Sequence, residues 1–132
     1  MMQVMDSLSW PSASGKMLPI QISSLNAALV ANILVPLIVT PASQAVYTEA
    51  IKAGYIEAIA ESGAIVTNST CGACFGYHMG LLGAGEVCMT ASTRNFKGRM
   101  GSPDAEIYMA SPYSVAAAAI AGHIIDPRKL TA

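Results

Sequence analysis

The sequence predicts an α/β domain with a mainly parallel sheet flanked by helices. Three observations carry this expectation. Four short apolar runs, over residues 37–40, 64–67, 87–91 and 107–110, are each bounded by turn residues, as buried parallel strands are. Helical stripes with recognisable caps separate or follow those runs. A loop rich in cysteine and glycine follows the second run, at the strand end where α/β proteins place their ligands.

Taken in order, residues 1–17 read as a loose lead-in, rich in Ser and Met and broken by Pro11 and Gly15. No charged residue appears between Lys16 and Glu49. Residues 18–40 are long enough to raise a membrane helix, which needs about 20 apolar residues. Gln21, Asn26, Asn32, Pro19 and Pro36 argue against one. The reading is a buried helix over 24–34 and a buried strand over 37–40, separated by Pro36. Pro41 ends the strand and Ser43 is placed to cap a helix carrying Val46, Ala50 and Ala53 on one stripe. Gly54 ends that helix; Ile56, Ile59 and Ala60 make a second stripe, which Gly63 stops. The strands over 64–67, 87–91 and 107–110 follow, with a polar loop over 93–104. Ser111-Pro112 is a cap followed by a first-turn proline, opening an alanine-rich helix that Gly122 closes. Residues 18–130 are thus one domain and residues 131–132 a tail.

The composition narrows the function classes. Of 132 residues, 53% are hydrophobic and 11% charged, against about 25% charged in an average soluble domain. So little charge suits a piece of a larger body or a subunit. A net charge of −1 gives no basic field, and nucleic acid is not expected as a partner. Three cysteines, an odd number, and no basic segment ahead of an apolar run point to a reducing, cytoplasmic setting rather than a disulfide framework.

The chemistry is concentrated in residues 68–101. They hold all three cysteines, one of two histidines, three of seven basic residues and seven of eleven glycines. Cys71 and Cys74 form a C-x-x-C, in which the intervening glycine lets two thiolates turn toward one centre. Zinc, an iron–sulfur cluster, a dithiol redox pair and plain burial all use this spacing. Cys88, between Val87 and Met89, reads as a small buried hydrophobe. His78 is either a histidine orienting a cluster or substrate, or a satisfied structural one. His123 reads as a residue compensating the dipole at a helix C-terminus. Arg94 and Arg99, in TRNFKGR, suit carboxylates or phosphates, which guanidinium groups bind bidentately. A solvated basic loop is the plainer alternative.

These residues carry a resemblance. A C-G-x-C-x-G loop (CGACFG), an R-N-F-x-G-R loop (RNFKGR) and an A-I-A-G ending occur together and in this order. The chain thereby resembles the aconitase superfamily over residues 37–130, most of all the C-terminal part of the large subunits in its 3-isopropylmalate dehydratase and homoaconitase branch. The resemblance implies an aconitase-like α/β/α domain, here partial, and a hydro-lyase of leucine-biosynthesis type. Such enzymes isomerise a hydroxy-di- or tricarboxylate by removing and re-adding water. It further implies a [4Fe–4S] cluster held by three cysteines, with Cys71 and Cys74 at two ligand positions, and Arg94 and Arg99 as substrate-carboxylate arginines. His78, Thr93 and Asn95 fall at cluster-neighbouring positions.

The sequence departs from the family pattern in three places. The third cluster cysteine lies upstream in the family, and no cysteine precedes Cys71 here. Thr93 stands where the family usually has Asn. The chain is also far shorter than a family member, so the implied partners are the remainder of a large subunit and a small, swivelling subunit that brings the serine base. No catalytic residue is expected on this chain, and alone it is expected neither to hold a stable cluster nor to catalyse. The competing expectation is a non-catalytic α/β subunit or metal-binding remnant that uses the C-x-x-C.

Overall fold

Met2–Met5 (β1), Leu37–Thr40 (β2), Ile65–Val66 (β3), Val87–Thr90 (β4) and Glu106–Met109 (β5) form one sheet in the order β3-β2-β1-β4-β5. Every pair is parallel. The structure, a computed structural model, describes residues 2–5, 33–74 and 79–130. The predicted mainly parallel α/β sheet is therefore the architecture, with all four expected strands in one layer.

β2 and β4 read as apolar runs because core lies on both of their faces, whereas the edge strands β3 and β5 are largely exposed, including Ile65 of the run expected to be buried. Side chains alternate across a strand. Leu37 and Val39 of β2 join Met89 of β4 in one core cluster. Ile38 and Cys88 belong to a second cluster with Ala73, Leu82 and Met100, residues of the connecting loops.

Pro112–Ala121 (α3) closes the first cluster with Val115, Ala118 and Ala119, all fully buried. Its alanines let the helix axis approach the sheet closely. Ser111 Oγ accepts from Ser114 N–H at 3.2 Å, and proline occupies the first turn, where its missing N–H leaves no bond unmade. Gly122 ends the helix in the left-handed region at φ 76°, and its N–H donates to Ala118 O. Gln44–Lys52 (α1) starts at Ser43, whose hydroxyl accepts from Val46 N–H at 3.2 Å. Gly54 then turns the chain into Tyr55–Glu61 (α2), which packs through Ile59 onto the first cluster.

Three expectations differ from the structure. Residues 2–5, read as part of a loose lead-in, form the central strand. The segment Met-Gln-Val-Met has one β-branched residue and no turn punctuation, so its strand character comes from partners on both sides: Met2–Met5 against Leu37–Thr40, and Met2 and Gln3 against Met89 and Thr90. The helix expected over 24–34 lies outside the described residues except at its end. There Ile33 and Leu34 are not helical; their N–H groups donate to Ser62 O and Ala119 O. The strand expected over 64–67 is confined to Ile65–Val66.

One long-range tie sets the surroundings of the site. Leu82 and Gly101 form an isolated parallel bridge, with Leu82 N–H donating to Met100 O at 2.7 Å and Ser102 N–H to Leu82 O at 2.9 Å. Gly101 sits at φ 120°, and a Cβ there would lie 2.6 Å from Leu82 O. Only glycine permits so close a backbone approach.

Candidate functional site

Parallel strands end on one rim, and β3 and β4 each lead from that rim into a loop with polar chemistry. The rim is lined with hydroxyls. Thr40, the buried last residue of β2, meets Thr67, just past β3, at 2.7 Å between hydroxyl oxygens. Thr90, the buried last residue of β4, accepts from Ser92 N–H at 3.2 Å. These bonds fix where each loop leaves the sheet.

The cysteine loop leaves from Thr67. Thr70 Oγ1 accepts from Gly72 N–H at 3.0 Å, and Cys74 N–H donates back to Cys71 O at 3.1 Å, closing a tight turn. Gly72 is required twice at this point: its φ is 53°, and a Cβ would collide with Thr40 Oγ1. Ala73 is fully buried in the second core cluster. The turn is thus seated on the sheet through Gly72 and Ala73, while Cys71 is exposed and Cys74 half-buried. Plain burial does not describe this pair of thiols.

The arginine loop leaves from Thr90. The Ser92 hydroxyl donates to Arg94 O at 2.9 Å and accepts from Arg94 N–H at 3.2 Å. Asn95 Nδ2 donates to Ile107 O of β5 at 3.1 Å. Arg99 N–H donates to Phe96 O, and the Arg99 guanidinium lies 5.3 Å from the centre of the Phe96 ring. Arg99 then crosses to the cysteine loop: Nε donates to Cys74 O at 2.9 Å and Nη2 to Cys74 Sγ at 3.0 Å. The two loops, which leave the same rim of the sheet, are in direct contact.

Not every candidate joins this contact. Thr93 and Arg94 are exposed, and neither Arg94 nor Lys97 enters an ion pair with a described residue. Asn95 is committed to the β5 edge. Cys88 is fully buried beneath the site, and desolvation pushes its thiol up to about 11 from an ordinary 9.0. His78 lies outside the described residues. His123 bonds its own chain, Nδ1 to Ala121 O at 2.9 Å, past the end of α3.

The hydroxyls of Thr40, Thr67, Thr70 and Ser92 were not singled out in the sequence, where they look like ordinary strand-end and loop residues. Neither was Ser69, whose buried hydroxyl has no hydrogen-bond partner among the described residues. Its one sequence signal is its place two residues ahead of the C-x-x-C.

The donor set fits part of an iron–sulfur cluster. Two accessible thiols on one rigid turn, beside a cationic donor aimed at one of them, suit an anionic thiolate-bound group. The chain's third thiol is fully buried in the second core cluster, so it offers no accessible third ligand beside the pair. Among the described residues no three metal-ligating side chains come together.

The fold and site define a class: a parallel α/β domain presenting a thiol pair against an arginine loop at the strand ends. The model of the aconitase family (aconitate hydratase) matches residues 18–122, and the chain belongs to that family. Over 98 residues it is 69% identical to the 3-isopropylmalate dehydratase large subunit of Mycolicibacterium smegmatis, covering 74% of this chain and 23% of that protein. It is 55% identical over 93 residues to 3-isopropylmalate dehydratase large subunit 2 of Rubrobacter xylanophilus, covering 70% and 22% respectively. With large subunit 2 of Archaeoglobus fulgidus the identity is 53% over 95 residues, covering 72% and 23%. The matched stretch spans less than a quarter of the length of each relative.

Proposed function

We propose that this chain is a portion of the large subunit of a hydro-lyase of the 3-isopropylmalate dehydratase type, acting in leucine biosynthesis in the cytoplasm. The observation that carries this reading is the bond pair from Arg99 to Cys74, which seats the arginine loop on the thiol loop. A hydroxy-carboxylate needs a cationic site beside the group that takes its hydroxyl, and this contact creates that neighbourhood. Identity of 69% with one such large subunit supports the substrate class.

Cys71 and Cys74 are the residues that would hold a [4Fe–4S] cluster, whose open iron supplies a Lewis acid for the departing hydroxyl. The chain's own residues do the rest of the local work. Gly72 and Ala73 hold the turn on the sheet, and Arg94 and Arg99 supply positive charge for the substrate's carboxylates. His78, Thr93 and Asn95 would neighbour the cluster in this reading, and Asn95 shapes the arginine loop through its bond to Ile107 O. The third thiolate and the acid–base serine come from the remainder of the large subunit and the small subunit. Residues 18–130, together with the central strand Met2–Met5, act as one partial domain in that assembly. Among the described residues no helix is long and apolar enough to cross a membrane.

The test is anaerobic reconstitution with iron and sulfide, with 3-isopropylmalate turnover followed by absorbance of the unsaturated intermediate. The isolated chain is expected to hold no stable cluster and show no turnover. Turnover is expected when the rest of the large subunit and the small subunit are supplied, and Cys71→Ser should abolish it. A complemented assembly without turnover overturns the reading. A second reading, a metal-binding remnant, draws on the buried state of Cys88, which leaves two accessible thiols. Retention of one zinc per chain, with no iron–sulfur chromophore after complementation, would favour it.

A further inference from the structure

We infer that Arg99 is a positioning residue for the Cys74 thiol, so that the two arginines of the loop have different tasks. The inference rests on the proposed metal-holding role of Cys71 and Cys74 and assigns what sets their geometry. Arg99 grips Cys74 at two atoms 25 residues away in sequence, the carbonyl through Nε and the sulfur through Nη2. A planar fork that bonds both atoms fixes the orientation of the Cys74 side chain relative to its own backbone, which a single bond cannot do. Phe96 lies beside the guanidinium at 5.3 Å, and Arg99 N–H closes a turn onto Phe96 O, so the fork is itself held in place. Arg94 differs at every point: it is exposed and anchored through its backbone to Ser92, and no ion pair among the described residues involves it. Arg94 offers its charge alone; Arg99, besides its charge, sets the thiol.

One variant separates this from simple charge. A guanidinium repels a bound cation but also favours the anionic thiolate that binds it, so removing the charge alone has no fixed sign. Arg99→Lys keeps the charge and loses only the fork, so loosened binding in that variant reports positioning. The probe is Co²⁺ alone, titrated into the reduced 132-residue chain and followed by thiolate-to-cobalt charge-transfer absorbance. Arg99→Gln is expected to weaken Co²⁺ binding about tenfold, the scale of one lost hydrogen bond to a charged group. Arg94→Gln is expected to leave it unchanged. Arg99→Lys keeps the charge but loses the fork, and is expected to weaken binding by about threefold. Amide exchange at residues 71–74 should quicken in both Arg99 variants. Unchanged or tighter Co²⁺ binding in Arg99→Lys overturns the inference. If circular dichroism shows that variant unfolded, Arg99→Gln is read by the same criterion. The measurement uses neither cluster nor substrate, so a failed turnover assay would sink the hydro-lyase reading without touching this one.

Discussion

The hydroxyl of Thr40 and the hydroxyl of Thr67 meet at 2.7 Å, tying the ends of two neighbouring strands 27 residues apart in sequence. Both residues lie under the cysteine turn: Gly72 packs on Thr40, and the loop departs from Thr67. Replacing the Thr40 hydroxyl removes a part-buried hydrogen bond and leaves Thr67 Oγ1 its bond to Asn68 O alone, at a cost of about 1 kcal/mol. Thr40→Val should therefore lower the urea midpoint without changing the slope of the transition. An unchanged midpoint would show that the pair contributes nothing to stability.

Gly72→Ala should be worse than an ordinary loop substitution. The left-handed backbone costs about 1–2 kcal/mol for a residue with a Cβ, and that Cβ collides with Thr40 Oγ1. The paired variant Gly72→Ala/Thr40→Ser tests the collision: serine keeps the hydroxyl that collides and should not rescue. Thr40→Ala removes it and should recover part of the loss. Equal midpoints for the two double variants would refute this account.

Cys88 should be silent toward alkylating reagents while Cys71 and Cys74 react. Burial holds its thiol neutral up to about 11. Native labelling at pH 8 followed by mass spectrometry should mark the first two cysteines only. The linkage has a definite sign. The folded state keeps the Cys88 proton that the unfolded chain releases near 9.0, so the contribution is complete below pH 9 and declines as pH rises toward 11. Cys88→Ala should flatten that decline. A wild-type slope in the variant would assign the alkaline loss to other groups.

Arg94→Gln should separate stability from binding. An exposed side chain away from packing changes stability by within about 0.5 kcal/mol, so the melting temperature should hold. In the complemented assembly, KM for 3-isopropylmalate should rise about tenfold, the scale of one charge-assisted contact. Unaltered kinetics would remove Arg94 from the carboxylate site.

Where structure follows local chemistry, the sequence is a sufficient guide. Ser111, Pro112 and Gly122 bracket α3 as their types require, and Ser43 caps α1 through the expected hydroxyl. The placement of the cysteine and arginine loops on one rim follows from parallel strands alone. The central strand Met2–Met5 was not legible, because its residues carry weak strand preference and its pairing is wholly long-range. The same holds at the site: a C-x-x-C and an R-N-F-x-G-R announce their chemistry, but nothing local reveals that Arg99 ends on Cys74 or Asn95 on Ile107. Thr40 and Thr67 looked like ordinary members of apolar strands, since the bond that matters joins them across the sheet.

The bridge between Leu82 and Gly101 makes the arginine loop a cinched loop. β4 and everything through Met100 hang between two backbone segments fastened together by the bonds of Leu82 to Met100 and Ser102. Inside the cinch, at the exposed Gly83–Gly85 turn, Gly83 N–H is bonded to the Glu86 carboxylate and Gly85 N–H to Asp104 O. Both sides of a backbone cut at Ala84 would remain fastened to the same body. The cysteine turn would fall on one piece and the arginines on the other, still in register across the cut, so their meeting depends on fastening across space and not on an unbroken chain.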